Sequence, residues 1–214
     1  LGGDHLHGGV VGFDKQHWTI ESVESGSPAS VVFRLESPDG DSGYPGNLTV
    51  RARYSLSDDN SLRIDYTATT DKPTVVNITN HAYFNLAGAD GGRGILDHVL
   101  EIPASRYTPV DETLIPTGEL RDVADTAFDF RKPRRIGDAV RDATDPQIVF
   151  GRGYDHNFVL DGEGLKLAAR LHDPRSGRTL ELLASAPAVQ FYSGNFLDGT
   201  KTGKYSQIYR QGDA

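Results

Sequence analysis

The 214 residues include no cysteine and no methionine. Without cysteine there can be no thiol nucleophile, thiolate metal site or disulfide scaffold. That composition suits a reducing compartment, and we expect a cytoplasmic protein. No apolar run approaches the roughly 18 residues that span a bilayer, and no signal peptide is visible, so no membrane association is expected. A basic surplus is also missing. The 22 Lys and Arg residues stand against 30 Asp and Glu, a formal net charge of -8. Nucleic acid or an anionic surface would call for a basic face, so neither is an expected partner and a neutral small molecule fits better.

Helical periodicity is equally scarce. The best short candidate is 138–143, and the dominant period is two. In LTVRARYSL (48–56), Leu48, Val50, Ala52, Tyr54 and Leu56 alternate with Thr49, Arg51, Arg53 and Ser55. After the turn SDDNS, LRIDYTA (62–68) repeats the pattern, which predicts a β-hairpin with one buried and one wet face. Further strands are predicted at 18–23, 30–36, 75–86, 98–102, 157–160, 165–172 and 179–185, with DPRSGR (173–178) turning between the last two. Many short strands separated by Gly/Pro-rich turns indicate an all-β sandwich or barrel with few or no helices. No repeat or linker divides the chain, so one domain over 1–214 is expected. SPDGDSGYPGN (37–47) reads as a loop near a site, and the arginine-rich FRKPRR (130–135) as a solvated loop rather than a phosphate site.

The stretch NITNHAYFNLAG (77–88) has an unusual composition for a strand. At period two, Val76, Ile78, Ala82, Phe84 and Leu86 would share a core-facing side with Asn80. Asn77, Thr79, His81, Tyr83 and Asn85 would form the other, composed almost wholly of hydrogen-bonding groups. Asparagine is poor in strands, so such a face suggests binding of something polar. DHLHGG (4–9), GYDHNFVL (153–160) and VQFYSGNF (189–196) add His7, Asp155 and Gln190 among aromatic residues. Amide, carboxylate and imidazole groups interleaved with rings suit a sugar, whose hydroxyls need polar partners and whose C–H faces pack on aromatics.

These segments, read in order with LHGGVVGFDKQHW, GYPGNLTV and YTPVDETLIPTGEL, resemble the galactose mutarotase (aldose 1-epimerase) family along the whole chain. The resemblance implies a large antiparallel β-sandwich and cofactor-free, metal-free interconversion of the α- and β-anomers of aldohexoses such as galactose and glucose. Ring opening needs one acid at the ring oxygen and one base at the C1 hydroxyl. Histidine suits the acid, because imidazole titrates near neutral pH. The resemblance makes His81 that catalytic proton donor, and His7, Tyr83, Asp155 and Gln190 the substrate-binding residues. It implies a monomer or homodimer. It also places the catalytic glutamate just beyond Ala214 and a sugar-binding Asn-Arg pair before Leu1, so both ends of a longer chain are expected to be missing.

Two rival readings remain open at this level. A non-catalytic carbohydrate-binding module could use the same fold. A metal-dependent sugar isomerase is suggested by His5-x-His7, although no third ligand stands at a telling spacing. By default His5, His17, His98, His156 and His172 read as structural or surface residues.

Overall fold

The computed structural model describes residues 5–89 and 92–213. The chain divides into two compact units, residues 1–81 and 82–214.

The first unit is built on an antiparallel sheet in which β1 (Thr19–Glu24), β2 (Ala29–Ser37), β3 (Leu48–Leu56) and β4 (Leu62–Thr70) pair in sequence order. The predicted hairpin forms in the expected register, with Ala52 opposite Tyr66 and Leu56 opposite Leu62. Leu35, Val50 and Ala52 are buried. On the opposite face Arg51 Nε donates to Glu21 across two strands at 2.8 Å, and Arg53 joins Glu24 and Ser30. Alternation therefore separates the buried residues from a lattice of cross-strand polar pairs. Leu56 and Leu62 flank the SDDNS turn and stay exposed, because the strand ends run past the covered surface.

The second unit contains two four-stranded antiparallel sheets and a hairpin. The first sheet is formed by β5 (Val99–Glu101), β8 (Arg134–Arg135), β10 (Lys166–His172) and β11 (Thr179–Ala184), in the order β11-β10-β5-β8. The second uses β6 (Arg106–Thr108), β7 (Arg121–Asp122), β9 (Asp155–Val159) and β12 (Ala188–Tyr192), in the order β12-β9-β6-β7. The hairpin pairs β13 (Asp198–Thr202) with β14 (Ile208–Arg210). One hydrophobic cluster takes Leu100 and Ala168 from the first sheet and Tyr107 and Phe158 from the second, as in a sandwich. Phe128 lies at its centre, stacked on Tyr107 at 4.4 Å and edge-on to Tyr154 at 5.6 Å.

The all-β antiparallel class is as expected, but two element assignments need correction. Residues 73–85 form neither strand nor helix, and Val76, Ala82 and Phe84, assigned to a core-facing side, are exposed. At the end of this segment, side-chain bonds take the place of a ladder. Asn85 Nδ2 donates to the carbonyls of Arg93 at 2.7 Å and Asp213 at 3.0 Å, while its Oδ1 accepts from Ala87 N–H. Such local bonds are how asparagine competes with regular structure.

The helix is also displaced from 138–143. It is α1 (Pro146–Gly151), begun by Asp145, whose carboxylate accepts from the Gln147 N–H at 2.8 Å. Asp-Pro is a start signal for a helix, since aspartate caps the first turn and proline presets φ at a position that needs no N–H.

Truncating Phe128 to alanine removes the ring shared by these contacts. We expect a loss of about 3–5 kcal/mol of stability, measured by urea denaturation; a loss below about 1 kcal/mol would show that the ring is not central to the core.

Candidate active site

His7 and His81 both belong to the first unit. His7 lies in a turn closed by Gly9 N–H donating to the Leu6 carbonyl at 3.0 Å. The backbone stays in the left-handed region through His7 (φ 53), Gly8 (φ 81) and Gly9 (φ 95). Glycine is needed at position 9 twice over, because a Cβ there would also lie 2.5 Å from His5 Nε2. The turn places the His7 ring edge-on to that of His81, with centroids 5.0 Å apart and planes at 88°. Both side chains are exposed, so two imidazoles from opposite ends of this unit's sequence meet at an accessible surface. Beside His81 in the sequence, Asn80 Nδ2 donates to Tyr54 Oη at 3.4 Å. Burial, followed by the neighbouring Tyr54, pushes the Tyr66 phenol up to about 12.

Tyr83, Asp155 and Gln190 belong to the second unit, and the structure brings them to one place. Asp155 opens β9 opposite Tyr192 of β12, and Gln190 stands two pairs further along the ladder, opposite Asn157. Gln190 Nε2 donates to Asp155 Oδ1 at 2.9 Å. The Tyr83 ring lies 5.4 Å from the ring of Tyr192, tilted by 42°. Burial, followed by the neighbouring Tyr192 and Asp155, raises the Tyr83 phenol above its ordinary value. The result is a half-exposed ring beside a carboxylate and an amide, equipment that can accept from and donate to adjacent hydroxyls. Tyr192 was not singled out by sequence reading, although the alternation Gln190-x-Tyr192 assigns both to one strand face.

The strand period explains why Asp155 is available and His156 is not. Along β9 the side chains of His156 and Phe158 are buried and those of Asp155 and Asn157 are not. His156 Nδ1 accepts from the Asp155 N–H at 3.1 Å, so its proton resides on Nε2, which faces Gln147 Oε1 at 3.2 Å. Gln147 completes the network by donating to the Val110 carbonyl at 2.8 Å and accepting from the Val110 N–H at 2.7 Å. Burial lowers His156 to about 4. The residue is structural, as read from the sequence. So is Asn195, whose amide is buried and donates to the carbonyls of Gly151 and Tyr154 at 2.7 and 2.8 Å.

His5 and His7 do not form the start of a metal site. The His5 ring stacks on Tyr44 at 5.4 Å while His7 meets His81, and among the described residues no three His, Asp or Glu side chains gather around a common point. Two arginines of the basic loop are in ion pairs, Arg131 with Asp129 at 2.7 Å and Arg135 with Asp97, and Arg134 lies over the Phe130 ring. Among the described residues no helix is long and apolar enough to cross a membrane.

Residues 2–212 match the family profile described as aldose 1-epimerase. The chain belongs to the aldose 1-epimerase family. It is 49% identical over 205 residues to the galactose mutarotase of Homo sapiens, and 46% identical over 201 residues to the aldose 1-epimerase of Escherichia coli. Those matches cover 95% and 93% of this chain but 56% of each relative, so the chain spans a little over half the length of the curated relatives it matches. The fold is that of the galactose 1-epimerase of Lactobacillus acidophilus, with a TM-score of 0.83 and 39% identity over 98% of this chain and 59% of that one. A homologue from C. elegans gives the same TM-score at 33% identity, covering 98% of this chain and 61% of that chain. In this chain the segments LHGG, NHAYFNL, GYDHNF and VQFYSGNF carry the polar groups described above.

The buried imidazole of His156 makes stability depend on pH in a defined direction. Its pKa is depressed from 6.5 in the unfolded chain to about 4 in the fold, so the unfolded state binds the extra proton. Stability is therefore full above pH 6.5 and falls as the pH drops towards 4. Denaturant unfolding at pH 7.5 and at pH 5 should differ by about 2 kcal/mol from this group. A His156→Gln variant should lose most of that difference; an unaltered slope would remove His156 as its source.

Proposed function

We propose that this chain forms the acid and sugar-holding part of an aldose 1-epimerase that interconverts the α- and β-anomers of free hexoses such as galactose and glucose. The observation that carries the proposal is the pair of exposed imidazoles, His7 and His81, meeting at 5.0 Å from the LHGG and NHAYFNL motifs of an aldose 1-epimerase family chain. The names of the relatives support the reaction, since proteins 46–49% identical are galactose mutarotases or aldose 1-epimerases.

In this mechanism His81 gives a proton to the ring oxygen as a base removes one from the C1 hydroxyl. The C1–O5 bond breaks, the free aldehyde rotates about C1–C2, and reclosure on the other face returns both protons. No electron transfer or covalent adduct is required, which is why the proposal includes no cofactor and no metal. His7 sits where it can bond a sugar hydroxyl beside the donor and hold the His81 ring edge-on. Asp155 accepts from one or two hydroxyls, Gln190 holds Asp155 and offers its carbonyl oxygen, and Tyr83 supplies a ring and a phenol. The base in this proposal is a carboxylate, the glutamate that the family resemblance implies. The one-domain reading, a monomeric or homodimeric state and a cytoplasmic location belong to the same proposal.

The test uses the full-length protein. It should speed the optical-rotation decay of fresh α-D-galactose, and His81→Asn should lower kcat about 100-fold or more while the circular dichroism spectrum stays unchanged. Undiminished activity in that variant would remove His81 as the acid. Calorimetric hexose binding with no effect on rotation would favour the non-catalytic module instead.

A further inference from the structure

His98 is buried, yet the proposed chemistry does not use it. It follows Asp97 just before β5, with its backbone tied at both ends: its N–H donates to the Ile95 carbonyl at 2.9 Å and its carbonyl accepts from Ile136 N–H at 3.0 Å. The ring is thereby fixed to the scaffold of the second unit. Its Nε2 accepts the Leu86 N–H at 3.0 Å, which assigns the ring proton to Nδ1. Leu86 is held from its other side as well. Its carbonyl accepts from Ser176 Oγ at 3.1 Å and from Arg178 Nη1 at 2.9 Å. Both donors come from the turn 173–178, which the buried Asp173 organises by accepting from the N–H groups of Arg175 and Ser176 at 3.1 Å each. Arg93 reaches Asp173 at 3.4 Å.

This arrangement stands where a sheet ladder is missing. Residues 82–85 have no regular structure, and Tyr83 lies three positions before the doubly held Leu86. An irregular segment keeps a binding side chain in place only if its backbone is fixed nearby. Both backbone polar groups of Leu86 are fixed by side chains, and Asn85 adds bonds to two carbonyls.

We propose that His98 is a positioning residue for Tyr83: as a neutral acceptor it anchors Leu86, and with Ser176 and Arg178 it clamps the segment that carries Tyr83 beside Tyr192, Asp155 and Gln190. Burial is the largest influence on the His98 ring and lowers its pKa; Asp173 and Asp97 work against that, while Arg93 and His172 act with it. His98 Nδ1 is buried without a hydrogen-bond partner among the described residues, so the ring's bonding capacity is directed at Leu86. For its effect on sugar binding, the inference rests on the mutarotase reading.

Two replacements of His98 in the full-length protein separate the roles. His98→Leu fills much of the ring volume but removes the acceptor. His98→Gln returns an amide oxygen near the place of Nε2. Amide hydrogen exchange at Leu86 should be about ten-fold faster in His98→Leu, which loses one buried hydrogen bond, and close to wild type in His98→Gln. The KM for galactose, and its Kd by calorimetry, should rise about ten-fold in His98→Leu with kcat within two-fold, and should recover in His98→Gln. Should His98→Leu fail to fold, the double change Ser176→Ala and Arg178→Ala, at exposed side chains, should raise KM and Kd in the same direction. Unchanged Leu86 exchange in His98→Leu would overturn the clamp. Faster exchange with unchanged KM and Kd would overturn its positioning of Tyr83. If the wild-type protein leaves the rotation of galactose unaffected, the mutarotase reading fails, and Leu86 exchange with galactose Kd still decides the inference.

Discussion

The second unit depends on the rule that a buried polar group must find a partner. His156 obeys it with both ring nitrogens, one facing the Asp155 N–H and the other Gln147 Oε1. Gln147 then closes on both backbone groups of Val110. A helix start, a loop and a strand are joined through one neutral imidazole. The joint also has a sense of direction. Because successive strand residues alternate, locking His156 inward against Phe128 at 4.5 Å leaves Asp155 facing outward at the end of β9. Asp155 and Gln190 can then pair on the outer face while the inner face stays packed. Structural and functional residues here are neighbours in sequence and opposites in orientation.

Where the sequence alternated over a long, evenly spaced run, it was readable. The β3–β4 hairpin, the β10–β11 hairpin and the turn 173–178 follow from residue patterns whose period and turn chemistry agree. Failure came where side-chain bonding replaced a ladder. NITNHAYFNL has enough Ile, Tyr and Phe to pass for a strand, but Asn85 spends its amide on distant and local backbone groups, and Asn80 donates to Tyr54 Oη. Such pairing is set by tertiary placement, and Asn85 meets the Asp213 carbonyl 128 positions away. The short strands β7 and β8, two residues each, were illegible for a simpler reason: two residues cannot display a period. The helix signal was present in Asp145-Pro146, yet six residues are too few for an apolar stripe to show.

Charge is handled locally across the chain. Arg63 pairs with Asp65, Arg121 with Glu119 and Arg131 with Asp129, each two positions apart. Pairs this exposed add little stability, because water and salt screen them. Their effect is to cancel arginines that would otherwise form a basic patch in FRKPRR. With a formal charge of -8, the chain carries no cationic surplus to attract polyanions.

The polar motifs sit on three kinds of support, and the differences have consequences. Asp155 and Gln190 stand on paired strands, where the ladder fixes them. His7 stands on a turn whose left-handed run demands Gly8 and Gly9, so its placement is written into backbone sterics. Tyr83 and His81 have neither device, for they lie on irregular chain. Irregular chain has the advantage that successive side chains need not alternate between two faces, so His81, Tyr83 and Asn85 can each take a separate direction. The cost is that fixing them requires hydrogen bonds from side chains elsewhere. A buried histidine, a serine, an arginine and asparagine amides around Leu86 and Asn85 supply such bonds. Polar residues that a composition-based reading would assign to ligand contact are, in this region, divided between proposed ligand contacts and bonds that hold the chain carrying them.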